Sequence, residues 1–87
     1  MSGSRALSLH RTIVTPTERA RFLERARQLR EHYASHQCRY WVFEETDLPG
    51  AFIEFTEGTD AAALSAALAG APASVVDSGR IYQEVAL

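Results

Sequence analysis

The fold is decided by residues 39–55, RYWVFEETDLPGAFIEF. Residues 39–45 and 51–57 are rich in aromatic and β-branched side chains, which favour strands. Between them stands DLPG at residues 47–50, and proline and glycine at these positions are typical of a tight turn. The stretch therefore predicts two antiparallel strands joined as a hairpin.

Side chains of the hairpin are expected to alternate between its two faces. We expect Phe43 to lie opposite Ile53 and Trp41 opposite Phe55, which puts four large apolar groups together. We assign this group to the side that helices cover. The other side would then carry Tyr40, Val42, Phe52 and Glu54.

Before the hairpin, residues 7–14 alternate loosely between apolar and polar side chains and predict a first strand. The tetrapeptide Thr15-Pro16-Thr17-Glu18 has the form of a capping box with proline at the first helical position. It predicts a helix to about residue 35, and an apolar stripe supports that helix. The stripe consists of Phe22, Ala26, Leu29 and Tyr33.

After the hairpin, Thr59 or Asp60 is expected to cap a second helix that ends at Gly70. Residues 81–87 alternate again and predict a fourth strand. The order is strand, helix, strand, strand, helix, strand. We therefore predict an α+β, ferredoxin-like domain over residues 1–87, with a four-stranded antiparallel sheet, two helices on one face, and residues 1–5 frayed.

Composition limits the classes of partner. The net charge is −2 and all nine cationic residues are arginine, so no global positive field favours nucleic acid or an anionic membrane. A chain of 87 residues with a single cysteine has no internal disulfide, and oligomerisation is a common source of the missing stability. No apolar run suits a membrane helix or a signal peptide. We predict a cytoplasmic homodimer.

The predicted uncovered face of the sheet is too aromatic for a simple solvated surface. We expect a second subunit, a ligand or stacked nucleobases to cover it. In this prediction the face consists of His10, Thr12, Tyr40, Val42, Phe52, Glu54, Tyr82 and Glu84.

The chain resembles the dimeric α+β barrel superfamily, in particular small proteins similar to the antibiotic biosynthesis monooxygenase domain. The resemblance rests on the long first helix after Thr15, on segments 40–44 and 49–55, and on the closing segment 81–85. It implies that two open sheets pack face to face into a barrel, and some members hold a small organic substrate in the cavity of each subunit. Some members oxidise quinols or polyketides without metal or flavin, some degrade haem, and many have no known activity.

A second resemblance is to the RNA recognition motif, because residues 51–55 match the end of its RNP1 pattern. The front of that pattern differs, since Gly50 stands where the first stacking aromatic is needed. Glu54 and Glu84 would also face the phosphates of the RNA. The stacking and electrostatic contributions to RNA affinity are thus missing, and we predict no nucleic-acid partner.

Candidate catalytic residues are His10 and Glu54, because a carboxylate hydrogen-bonded to an imidazole fixes its tautomer and raises its basicity. The alternative is that the two residues only satisfy each other at a dimer interface. Candidate ligand-binding residues are Tyr40, Val42, Phe52, Tyr82 and Glu84. The oxidising relatives rely on an asparagine, and the sequence contains none.

His32 and His36 stand four residues apart with Cys38 close behind, a spacing compatible with a transition metal. No carboxylate or second cysteine nearby in sequence completes a tetrahedral set, so no metal and no cofactor is predicted. Cys38 is expected to be a small buried apolar residue. The sequence thus predicts a small-molecule-binding dimeric barrel, with a cofactor-independent monooxygenase or isomerase activity as one outcome and a non-enzymatic interaction module as the alternative.

Overall fold

A computed structural model describes residues 4–72 and 80–87, and its elements follow the predicted order. Residues 1–3, part of the segment expected to fray, lie outside the described residues. The elements are β1 (Ala6–Ile13), a 3₁₀ turn (Pro16–Glu18), α1 (Arg19–Ser35), β2 (Arg39–Glu44), β3 (Ala51–Gly58), α2 (Ala61–Ala69) and β4 (Tyr82–Gln83). The fourth strand is therefore shorter than the span of residues 81–87 that the sequence predicted.

The four strands form one antiparallel sheet in the order β2-β3-β1-β4. Both helices belong to the connections β1–β2 and β3–β4, which is the ferredoxin-like arrangement predicted from the sequence. The hairpin register is also confirmed, because Trp41 pairs with Phe55 and Phe43 pairs with Ile53. The turn predicted at DLPG joins these strands.

The assignment of the hairpin faces was wrong. Phe52 stacks on Phe22 of α1 with ring centroids 4.5 Å apart, and Tyr40 lies against Tyr33 of α1 at 5.3 Å. The even-numbered residues of β2 and β3 therefore face the helices. Trp41, Phe43, Ile53 and Phe55 lie on the opposite side, together with Leu9 and Ile13 of β1.

The first helix begins differently from the predicted capping box. Thr15 makes no side-chain cap hydrogen bond; its carbonyl accepts the N–H of Glu18 at 3.0 Å, and its hydroxyl lies 3.2 Å from that of Thr17. Pro16 does occupy the first helical position. A 3₁₀ turn therefore satisfies the first donors in place of the threonine hydroxyl.

The core between the sheet and the helices contains two apolar clusters. One consists of Val14, Phe22 and Phe52, and the other of Leu29, Tyr33, Cys38 and Ala67. Three of the four residues of the predicted α1 stripe belong to these clusters, and Ala26 is buried beside them. Cys38 is buried as expected.

The second helix is capped by Asp60, whose carboxylate accepts the N–H of Ala63 at 2.7 Å. Its approach to the sheet depends on Gly58, because a Cβ at this position would lie 2.9 Å from the Cβ of Leu64 and 3.1 Å from its backbone nitrogen. Glycine is thus what lets the end of β3 touch α2. Within the described residues, no helix has the length and apolar character needed to span a membrane.

Candidate functional site

A buried polar cluster lies between α1 and the sheet, around Glu54 of β3. The hydroxyl of Tyr40 donates to Oε1 of Glu54 at 2.6 Å, and Nη2 of Arg25 lies 3.9 Å from Oε2. Glu54 is 7% exposed. A carboxylate this deep needs such partners, because an isolated buried charge is costly.

Tyr40 of this cluster and the adjacent Tyr33 are both held in their neutral forms. Burial is the main cause that raises the pKa of Tyr40, and the hydrogen bond to Glu54 and the nearby carboxylate charge raise it further. Burial, followed by the charge of Glu54, also raises the pKa of Tyr33. Both phenols are therefore hydrogen-bond donors and not proton acceptors at neutral pH.

His10 lies directly opposite Glu54 on the neighbouring strand β1. The two residues predicted as an acid–base pair are thus cross-strand neighbours, on the helix-facing side and not on the uncovered side. The partner that satisfies Glu54 is Tyr40, and no hydrogen bond of the His10 side chain is found among the described residues. His10 is half-buried.

The predicted ligand-binding residues do not form one site. Tyr40, Val42 and Phe52 face the helices, and Phe52 is a core residue in contact with Phe22. Tyr82 pairs with Leu7 on the opposite side of the sheet, where Glu84 also lies with its carboxylate held by Arg5 at 2.9 Å. Within the described chain these five residues therefore do not share one surface.

A cavity that the sequence did not reveal lies between the end of β1 and the first turns of α1. Its volume is about 250 Å³, and its walls include Thr12, Ile13, Phe22, Arg21 and Arg25. Two of these residues carry buried polar atoms without a hydrogen-bond partner among the described residues, namely Oγ1 of Thr12 and Nε of Arg25. Unpaired buried polar groups are rare in folded proteins, and these two atoms have almost no accessible surface, so they lie behind the cavity wall.

Residues His32, His36 and Cys38 do not assemble into a metal site. The Nε2 atom of His32 lies 2.8 Å from the carbonyl oxygen of Ala67, which ties α1 to α2. Nδ1 of His36 lies 3.0 Å from the carbonyl oxygen of His32. No group of three or more potential ligands for a metal is found within residues 4–72 and 80–87.

The side of the sheet away from the helices is what we call the outer face. Large apolar side chains are exposed there: Ile13 by 61%, Phe43 by 55% and Trp41 by 38%. Phe43 and Phe55 meet edge to face with centroids 5.6 Å apart. The sequence correctly predicted an aromatic uncovered face, but most of its members were assigned to the wrong side.

Comparison with protein-family models, with curated proteins and with solved structures gives no match for this chain.

Proposed function

We propose that the protein is a homodimeric α+β barrel in which the outer faces of two copies pack together and each subunit binds a small apolar ligand. The observation that carries the proposal is the exposed apolar outer face. Monomeric proteins rarely expose contiguous patches of this kind, and their burial is a main source of association energy. The resemblance to the dimeric barrel superfamily agrees with this arrangement.

The charge of the outer face suits a second copy of the same chain. Three cationic and three acidic side chains surround its apolar centre, so two copies do not repel each other. Two of these charges, Arg11 and Glu45, already form an ion pair with N–O distance 3.2 Å. The balanced set is Arg5, Arg11, Arg39, Glu45, Glu57 and Glu84.

For the ligand we propose the cavity beside Thr12 and Arg25. Its walls are mostly apolar and suit a small aromatic body, and the guanidinium groups of Arg21 and Arg25 beside them suit an oxygen acceptor on that ligand. Arg25 also connects this cavity to the buried cluster, because it lies 3.9 Å from Glu54.

The alternative from another class is a non-enzymatic interaction module. It is favoured by the satisfied state of Glu54, since a carboxylate already held by Tyr40 serves the core without any ligand. In this alternative the outer face still pairs, but the cavity beside Arg25 binds nothing. Ligand binding therefore separates the two functions, whereas dimerisation does not.

The test is native mass spectrometry of the purified protein, alone and with naphthol as an aromatic oxygen-bearing probe. We expect twice the mass of the chain and one naphthol per subunit. Arg21→Met keeps much of the length of the side chain but removes the guanidinium group from the cavity wall, so it should weaken naphthol binding while the dimer and the fold persist. A dimer that takes up no naphthol would favour the interaction module.

A further inference from the structure

We propose that β2 binds an extended acidic peptide of a partner protein, which adds to the sheet as a fifth strand beside α1. This surface borders the outer face and shares Trp41, Phe43 and Arg39 with it. β2 pairs with β3 on one side, and no described strand pairs with its other edge. An exposed edge of this kind is a template for another strand.

The space for such a strand already exists. A cavity of about 370 Å³ is lined by the consecutive residues Tyr40, Trp41, Val42 and Phe43 and by one side of α1. Successive side chains of a strand point to opposite faces, so a cavity that touches four in a row runs along the edge of the strand. A second cavity of about 340 Å³ shares Tyr40 and Trp41 and continues toward Cys38. We call the two together the edge trough.

The backbone groups that face the edge trough follow from the register. Glu45 donates its N–H to the carbonyl of Ala51 at 2.9 Å, so this pair is hydrogen-bonded across the hairpin. Hydrogen-bonded pairs alternate along an antiparallel ladder. Trp41 and Phe43 are therefore bonded to β3, while Tyr40 and Val42 direct their N–H and C=O groups into the edge trough.

The charge of the edge trough determines the kind of partner. Its α1 wall carries Arg27 and Arg30, and Arg39 lines its far end. Arg27 is paired with Glu24 at 3.2 Å, whereas neither Arg30 nor Arg39 has an ion pair among the described residues. Among the described residues that line the edge trough, no side chain is acidic. An acidic segment would pair with these arginines.

The experiment uses the full-length chain labelled with ¹⁵N and a blocked peptide of alternating glutamate and valine. A length of about seven residues covers the six residues of β2. We expect amide resonances of Tyr40 and Val42 to shift on titration and to gain protection from exchange. A peptide of alternating lysine and valine should bind at least about tenfold more weakly.

Two further arms test the mode of binding. An acidic peptide with N-methylated central residues loses its backbone donors and should bind at least about tenfold more weakly. Arg30→Glu should reduce affinity to a similar extent, whereas Gln28→Glu, which adds an acidic side chain on another side of α1, should leave it within about twofold.

Three results would overturn the proposal. The first is the absence of shifts at Tyr40 and Val42 with the acidic peptide. The second is equal binding of the N-methylated peptide, which would indicate a site for organic anions only. The third is protection of the Tyr40 and Val42 amides from exchange when the protein alone is concentrated, which would assign the edge to a second copy. None of these results bears on pairing through the outer face, which is measured separately by mass.

Discussion

Glu54 is a buried carboxylate, and its partners tie β2 and α1 to β3. Its position on β3 turns it toward α1, so its charge must be balanced inside the core. Tyr40 and Arg25 supply a hydrogen bond of 2.6 Å and an ion pair of 3.9 Å. The sequence predicted Glu54 and Tyr40 as site residues but not the contact between them. The expected partner of Glu54 was His10 on the adjacent strand β1.

Replacement of Tyr40 by phenylalanine should therefore destabilise the fold by about 1–3 kcal/mol, since the Glu54 carboxylate loses its hydroxyl donor while remaining buried. Urea unfolding followed by circular dichroism at one fixed protein concentration measures the effect. Tyr82→Phe is the matched control, because that side chain is half-exposed on β4. Equal losses in the two variants would show that the buried hydrogen bond contributes nothing specific.

Glu44 is a second residue with a defined electrostatic role. Two hydrogen bonds from Arg19, at 2.7 and 2.9 Å, and one from the backbone N–H of Gly50, at 2.9 Å, converge on its carboxylate. The hydrogen bonds from Arg19 and then from Gly50 lower the pKa of Glu44 from 4.5 to about 2. The residue thereby joins the start of α1 to the hairpin turn.

The lowered pKa predicts a direction of pH dependence. Glu44 binds protons more weakly in the folded chain, so it stabilises the fold above pH 4.5, and this contribution is lost as the pH falls toward about 2. The melting temperature of Glu44→Gln should lie below that of the wild type at neutral pH, and the gap should close near pH 2. Glu31→Gln, on the exposed surface of α1, should show no such gap. A gap for Glu44→Gln that is constant with pH would contradict this role.

At the scale of the elements, strand order and register could be predicted, but the faces could not. The turn at DLPG determines which residues pair across the hairpin, because the register of a hairpin depends on its local turn geometry. Both faces of the hairpin carry large apolar side chains, so alternation alone does not show which side the helices cover. The more apolar set, Trp41, Phe43, Ile53 and Phe55, lies on the outer face, where we propose that a second sheet covers it.

The small residues of the sheet indicate which face the helices cover. Ala6, Ser8 and Gly58 lie on the helix-facing side with Phe52 and Glu54, and all five are buried. Small side chains are what a close approach of a helix requires, so their alternation marks the covered side. The cavity beside Thr12 and Arg25 had no comparable signal, because it depends on how α1 is placed over the end of β1.

This role of small residues gives a prediction for Gly58→Ala. The added methyl group would lie 2.9 Å from the Cβ of Leu64 and 3.1 Å from its backbone nitrogen, so α2 must shift. We expect a loss of about 1–3 kcal/mol in the free energy of unfolding. Gly70→Ala is the control, since its nearest neighbour would lie at an ordinary 3.6 Å. A neutral Gly58→Ala would show that the packing of α2 on β3 is loose.

At the scale of the whole molecule, the described structure is a two-layer domain with one covered and one uncovered side. The polar cluster around Glu54, the cavity beside Arg25 and the edge trough all belong to the covered layer or its border. The outer face has no such polar centre and consists of an apolar middle with balanced charges around it. We therefore propose assembly through the outer face, ligand binding in the cavity beside Arg25, and peptide binding along the edge trough.

The central claim is that two copies pair through the outer face, and the mass in solution tests it most directly. Light scattering should give a dimer for the wild type and a monomer for Phe43→Asp, which places a charge beside Phe55 in the apolar part of the outer face. Leu48→Asp is the matched control, because Leu48 is 45% exposed in the hairpin turn, and it should remain a dimer. A wild-type monomer, or a Phe43→Asp variant that stays folded and dimeric, would contradict the account.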